Sequence, residues 1–198
     1  METAIKQRER IINCAYALAM REGISSLSVR KTAKEAAIGA STLRYYFPSQ
    51  DALRVAVVDK YLESVLSDAH IFDSSLSASD RLVECLQQFL PSPSTEEYNS
   101  LPWPRTTGTA LPETDPELTS RVLGMATDHT HRRITCWLNV LREEGSLGPS
   151  RINSTISLLC ALVNGLSIDL NSQFSSITHA EAVEIIRNVV DKLVLVEK

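Results

Sequence analysis

Apolar positions recur every three to four residues along most of the chain, the period of helices with one buried face. The first stripe is Ile5, Ile11, Ile12, Ala15, Leu18 and Ala19, with Arg8, Glu9, Arg10 and Arg21 mostly off it, and Gly23 ends the run. Two short helical runs follow, VRKTAKEAA from Val29 and ASTLRYYF from Ala40, on either side of a tight joint at Ala37–Gly39. Ala33, Ala36, Ala37, Ile38, Leu43 and Phe47 are spaced to pack these two helices on the first. Ser28 supplies a hydroxyl cap for the second helix. Pro48 breaks the third, and Ser49 caps a fourth that the pattern carries from Gln50 to about Ser67, with Leu53, Val57, Tyr61 and Val65 on one side.

Beyond this the pattern stays helical with two interruptions. His70–Ser79 is polar and serine-rich and reads as a connection, followed by a short amphipathic helix over Asp80–Leu90. Pro91–Pro116 holds six of the eight prolines, and the sequence predicts a broken helix around Thr95–Trp103 with a loop after it. Asp115 then caps a long helix with Pro116 in its first turn, running to Gly145. Arg151–Leu170 and His179–Val196 make the last two helices, and both carry apolar stripes wider than one core contact needs. Such an excess implies burial against another chain. The expected fold is all-α, about nine helices, divided into a head over residues 1–48 and a body over 49–198.

Composition agrees with this outline. Hydrophobic residues make up 43% of 198 and glycine occurs only 7 times, which favours helices over a turn-rich β fold. No apolar run reaches the ~18 residues of a membrane span, and the charged N-terminus METAIKQRER does not resemble a signal peptide. A cytoplasmic protein is therefore expected. Cys14, Cys85, Cys136 and Cys160 are far apart among apolar residues, as expected of buried thiols. The net charge of −4 conceals an asymmetry. Up to Tyr61 there are ten Lys/Arg against six Asp/Glu, which leaves ten against eighteen of the chain's 20 and 24 for the remainder. A basic head on an acidic body turns the head toward a polyanion and keeps the body away from it.

The chemistry is concentrated in Ser28–Gln50. Ser41, Thr42, Arg44, Tyr45 and Tyr46 lie within six positions of one short helix, so hydroxyls and a guanidinium for phosphates or base edges sit beside aromatic rings. Two adjacent tyrosines cannot both face inward on a helix, so at least one is outside. Two short helices packed on a third, the second of them so decorated, form the outline of a helix-turn-helix. Catalytic patterns are missing: there is no GxSxG, HExxH, cysteine pair or phosphate-cradling glycine loop, and His70, His129, His131 and His179 are scattered. No enzyme, metal or cofactor is expected.

In the order of these elements, and above all in TLRYYFPSQDAL, the chain resembles the TetR family of bacterial transcriptional repressors. The resemblance is tight over Arg8–Val58 and architectural beyond. Four positions depart from the common pattern: Ala37 replaces the turn glycine, Gly39 stands where a serine usually caps, Arg44 takes the usual tyrosine place and Gln50 that of a lysine. The resemblance implies a homodimer on a palindromic double-stranded DNA operator. It implies DNA contacts from Ser28, Arg30, Ala40, Ser41, Thr42, Arg44, Tyr45, Tyr46 and Gln50. It further implies a small, largely apolar effector in a body cavity, for which Tyr61, Val65, Phe89, Trp103, Met125, His129, Arg133 and Trp137 are candidates. The last two helices of each subunit would build a four-helix interface through Ile156, Leu159, Val163, Leu166, Ile186, Val190 and Leu193. The alternative is a DNA-binding regulator whose body binds a protein partner or serves activation.

Overall fold

The computed structural model describes residues 2–91, 116–147 and 152–194. Among these residues there are eight α-helices: α1 Glu2–Glu22, α2 Val29–Glu35, α3 Ala40–Tyr46, α4 Gln50–Val65, α5 Ala78–Gln87, α6 Pro116–Glu143, α7 Ile152–Leu170 and α8 His179–Val189. The helix expected around Thr95–Trp103 lies outside the described residues.

Two compact units divide the chain. One takes in residues up to Ser64 and the start of α6 as far as Met125; the other runs from Val65 through α5 and from Ala126 through α7 and α8. The first unit is built on Ile11, Ala15, Leu18 and Ala19 of α1, Ala33 and Ala36 around the end of α2, and Leu43 and Phe47 from α3. Leu53, Val57, Val58 and Tyr61 of α4 pack into that same core. The division expected after residue 48 thus falls before a helix whose apolar face is buried with the head. Gly23, at φ 83°, stops α1, and its carbonyl and amide are taken up in local turns.

The second unit buries Leu82, Val83 and Leu86 of α5, Ile134, Trp137, Leu138 and Leu141 of α6, and Ile156, Leu159, Val163 and Leu166 of α7. Ala182, Ile186 and Val190 complete it from the C-terminal helix. Inside this unit the Arg81 guanidinium, 3% exposed, donates to the Ile71 carbonyl at 2.6 Å and pairs with Glu144 at 2.6 Å. Several element ends differ from the sequence reading. α5 begins at Ala78 because the Ser77 hydroxyl accepts from the Asp80 amide at 3.0 Å. α4 stops at Val65, two residues short of expectation. The last helix keeps α geometry only to Val189 and continues as a π turn over Val190–Val194.

α7 is long and apolar enough to cross a membrane, with mean hydropathy 1.3. One side of it is already occupied by this unit's own core.

Candidate nucleic-acid interface and body site

The head surface is positioned by a chain of local constraints. The Ser28 side chain accepts from the Lys31 amide at 3.2 Å and starts α2. At the far end the Ile38 amide donates to the Ala33 carbonyl at 2.9 Å and the Ala37 amide to Lys34 at 3.1 Å, with Ala37 at φ 50°. This 6→1 and 5→2 pair is a Schellman close, and it reverses the chain in three residues. Gly39 then caps α3 without a side-chain bond. Leu43, fully buried, and Phe47, 2% exposed, fix the rotation of α3, so Ala40, Ser41, Thr42, Arg44 and Tyr45 all face solvent. Tyr45 is 80% exposed, and Tyr46 is half-buried with its ring edge-on to Tyr45 at 5.1 Å. From α1, the Arg8 guanidinium covers the Phe47 ring at 5.2 Å. Ser49 accepts from the Ala52 amide at 3.0 Å and starts α4, which leaves Gln50 half-buried in its first turn.

Electrostatics sort the basic residues into two groups. Lys31 pairs with Glu22 at 3.1 Å, and Arg21 with both Glu22 and Glu35. Hydrogen bonds from Lys31 and then Arg21 hold the Glu22 carboxyl below the usual carboxylate range. Arg30, Lys34 and Arg44 are exposed and have no acidic partner among the described residues. Sequence reasoning counted the charges but could not see which were already neutralised. Lys34, exposed on the outer face of α2, joins the candidates on that ground.

The residues named for an effector site fall in different places. Tyr61 is in the first unit's core and Met125 is half-buried against it, while Val65 is 36% exposed at the end of α4. Trp103 lies outside the described residues. Phe89, Arg133 and Trp137 come together in the second unit: the Phe89 ring meets Trp137 at 5.9 Å and the Arg133 guanidinium covers the indole at 5.1 Å. His129 is buried one turn away on the same helix. The group missed by the sequence is Asp68, which lay between the expected end of the fourth helix at Ser67 and the connection beginning at His70. Its Oδ1 accepts from Arg133 Nη2 at 2.8 Å and from Trp137 Nε1 at 3.1 Å.

Most of the dimer candidates face inward in the single chain. Ile156, Leu159, Val163, Leu166, Ile186 and Val190 are all buried in the protomer's own core, and the Leu193 side chain lies outside the described residues. The outward side of α7 carries a different set: Leu158, Ala161, Gly165 and Ile168 are exposed at spacings of three, four and three. Ile185 of α8 is also exposed. α7 has two apolar stripes, and period alone does not say which one the chain keeps for itself.

The fold and this surface form a helix-turn-helix head. Residues 11–57 match the model of bacterial regulatory proteins of the tetR family. An HTH-type transcriptional regulator from the dhlA 5′ region of Xanthobacter autotrophicus is 38% identical over 69 residues, 33% of this chain and 34% of that one. The match therefore spans about a third of that relative's length. A Rhodococcus protein assigned to the TetR family superposes with TM-score 0.60 at 21% identity, covering 93% of this chain and 96% of that one. The multidrug binding protein EbrR, complexed with proflavin, does so at TM-score 0.55 and 18% identity over 92% and 99% of the two chains. A Saccharomonospora viridis protein, assigned as a transcriptional regulator and in complex with choline, gives TM-score 0.55 at 17% identity over 97% and 99%. Residues 11–57 thus carry the DNA-binding segment of the tetR family, and the all-helical fold is that of these solved structures.

Proposed function

We propose that the protein is a cytoplasmic homodimeric repressor that binds a roughly palindromic operator and leaves it when a small, largely apolar effector occupies the body. The observation that carries this reading is the rotation of α3: Leu43 and Phe47 are inside, and Ser41, Thr42, Arg44 and Tyr45 are outside. Two such helices related by a two-fold axis enter successive major grooves when their centres are ~34–36 Å apart. Arg44 and Arg30 supply base-edge or phosphate contacts, and Ser28, Ala40, Thr42, Tyr46 and Gln50 frame them.

The second copy docks on the outward stripe of α7. Leu158 and Ile168 flank Ala161 and Gly165, and small residues between larger apolar ones let two helix backbones approach closely. The EbrR–proflavin and choline complexes support small-molecule sensing as the body's role. An effector acts only through its differential affinity for the two arrangements of the heads.

The test is a mobility shift with DNA from upstream of the protein's own and neighbouring genes. Saturable binding that weakens as salt rises is expected. Its absence for the folded protein removes the repressor reading.

A further inference from the structure

On α6, Arg133 and Trp137 are one turn apart, and the guanidinium of the first lies over the indole of the second, 5.1 Å from the ring centroid. The same guanidinium is paired with Asp68, which also accepts the indole N–H. A planar cation on an aromatic face, with a carboxylate at its edge and a second ring, Phe89, packed edge-on behind, is a fully formed cation site. Here the chain's own side chain fills it.

We infer that the effector is a planar aromatic cation that takes the place of the Arg133 guanidinium on Trp137 and Asp68. This rests on the effector-responsive reading above and specifies its ligand. Three observations favour it. Arg133 is an imperfect occupant, because its Nε is buried and has no hydrogen-bond partner. The site is also accessible: Asp68 is 48% and Arg133 23% exposed, so the guanidinium can swing to water without unfolding its helix.

The third observation is the sign of the local field. Once Arg133 leaves, Asp68 and the indole face remain, which attract a cation and repel an anion. The Cys85 thiol donates to the Asp68 backbone carbonyl at 3.6 Å. It is pushed up to about 12 by burial first and then by the charges of Glu84 and Asp68, against the opposing pull of Arg133 and Arg81. An anionic effector would have to break the Asp68 pair and then lie beside that carboxylate.

The experiment uses the full-length protein without DNA, in a Trp103→Phe background that leaves Trp137 as the fluorophore. The probes are proflavin, a planar cation, and 2-naphthoate, a planar anion. Proflavin is expected to quench Trp137 saturably while 2-naphthoate does not. Asp68→Asn should weaken proflavin roughly 5- to 30-fold. Arg133→Met keeps an aliphatic stem over the indole and removes the competing charge, so it should tighten proflavin by a similar factor; Arg133→Gln provides a second neutral variant. Circular dichroism confirms that each variant is folded.

Binding of 2-naphthoate that is lost in Arg133→Met makes the guanidinium an anion anchor and overturns the inference. Proflavin binding indifferent to both substitutions also overturns it. Because no operator is present, failure of this binding and failure of the repressor reading are read separately.

Discussion

The Ile38 amide reaches back to the Ala33 carbonyl at 2.9 Å and closes the turn between α2 and α3 over an alanine, Ala37, held at φ 50°. That conformation suits glycine, which lacks the Cβ that crowds the left-handed region. Ile38 is half-buried against the head core, so the turn stays shut because opening it would expose that side chain. Replacing Ala37 by Gly relieves the strain but loosens the unfolded chain, which offsets part of the gain. The net expectation is stabilisation by about 0.5–1 kcal/mol, read as a raised denaturation midpoint with unchanged slope. A fall in midpoint would show that the turn is not strained.

Arg44 and Lys31 are both basic, close in sequence and exposed, yet they should behave differently on DNA. Lys31 is held by Glu22, whereas Arg44 projects from α3 with no acidic partner among the described residues. Arg44→Ala should weaken operator binding by about 1–3 kcal/mol and blur discrimination at one base pair. Lys31→Ala should change affinity by less than Arg44→Ala and alter the salt slope by under one unit. Equal losses would mean that the Glu22 pair opens on DNA. Competition gel shifts at several salt concentrations separate these outcomes.

These two cases show what the sequence makes legible and where it stops. The caps at Ser28 and Ser49, the stop at Gly23 and the inward Leu43 and Phe47 are all local, and local chemistry is written in short windows. Ala37 could be named as strained because the turn needs a positive φ whatever surrounds it. The pairing of Lys31 with Glu22 joins residues nine apart on two helices, and no single-helix period contains it. Asp68 was lost for a related reason. It lies in a polar connection, and only the fold brings it to α6, more than sixty residues on. The stripes of α7 were visible as two apolar faces, but their assignment to core or surface depends on what packs against them.

The outward stripe of α7 gives a substitution that separates folding from assembly. Nothing lies within 4 Å of a Cβ built on Gly165, and the position is exposed, so a larger side chain there starts into open space in a single chain. Leucine in a helix interior is also favoured over glycine by about 0.5–1 kcal/mol. Gly165→Leu should therefore leave the protomer at least as stable while blocking close approach of a second copy. Expected are a monomer by sedimentation at concentrations where the parent is a dimer, and weakened operator binding. A Gly165→Leu protein that remains dimeric would place the contact elsewhere.

The thiols supply a prediction in pH. Cys85 and Cys160 are buried, and their thiols are pushed up to about 12 and about 11, by burial in both cases and additionally by Glu84 and Asp68 for Cys85. The fold favours the protonated thiol, whereas in the unfolded chain the proton leaves near the ordinary cysteine value of ~8.5. Between that value and the folded one the unfolded state binds fewer protons, so stability falls as pH rises. The loss begins near pH 9 and steepens to at most about 1.4 kcal/mol per pH unit for each thiol, ending near 11 for Cys160 and near 12 for Cys85. Below pH 8 neither thiol contributes a pH dependence. Cys136 is exposed and should react with a thiol reagent at pH 8 in the folded protein, while Cys85 and Cys160 react only as fast as the chain opens. Thermal melts from pH 7 to 11 on the parent and on Cys85→Ala check the first point, because the variant should start lower yet decline less steeply above pH 9. Rapid labelling of Cys85 without denaturant would mean that its surroundings open far more often than a packed core allows.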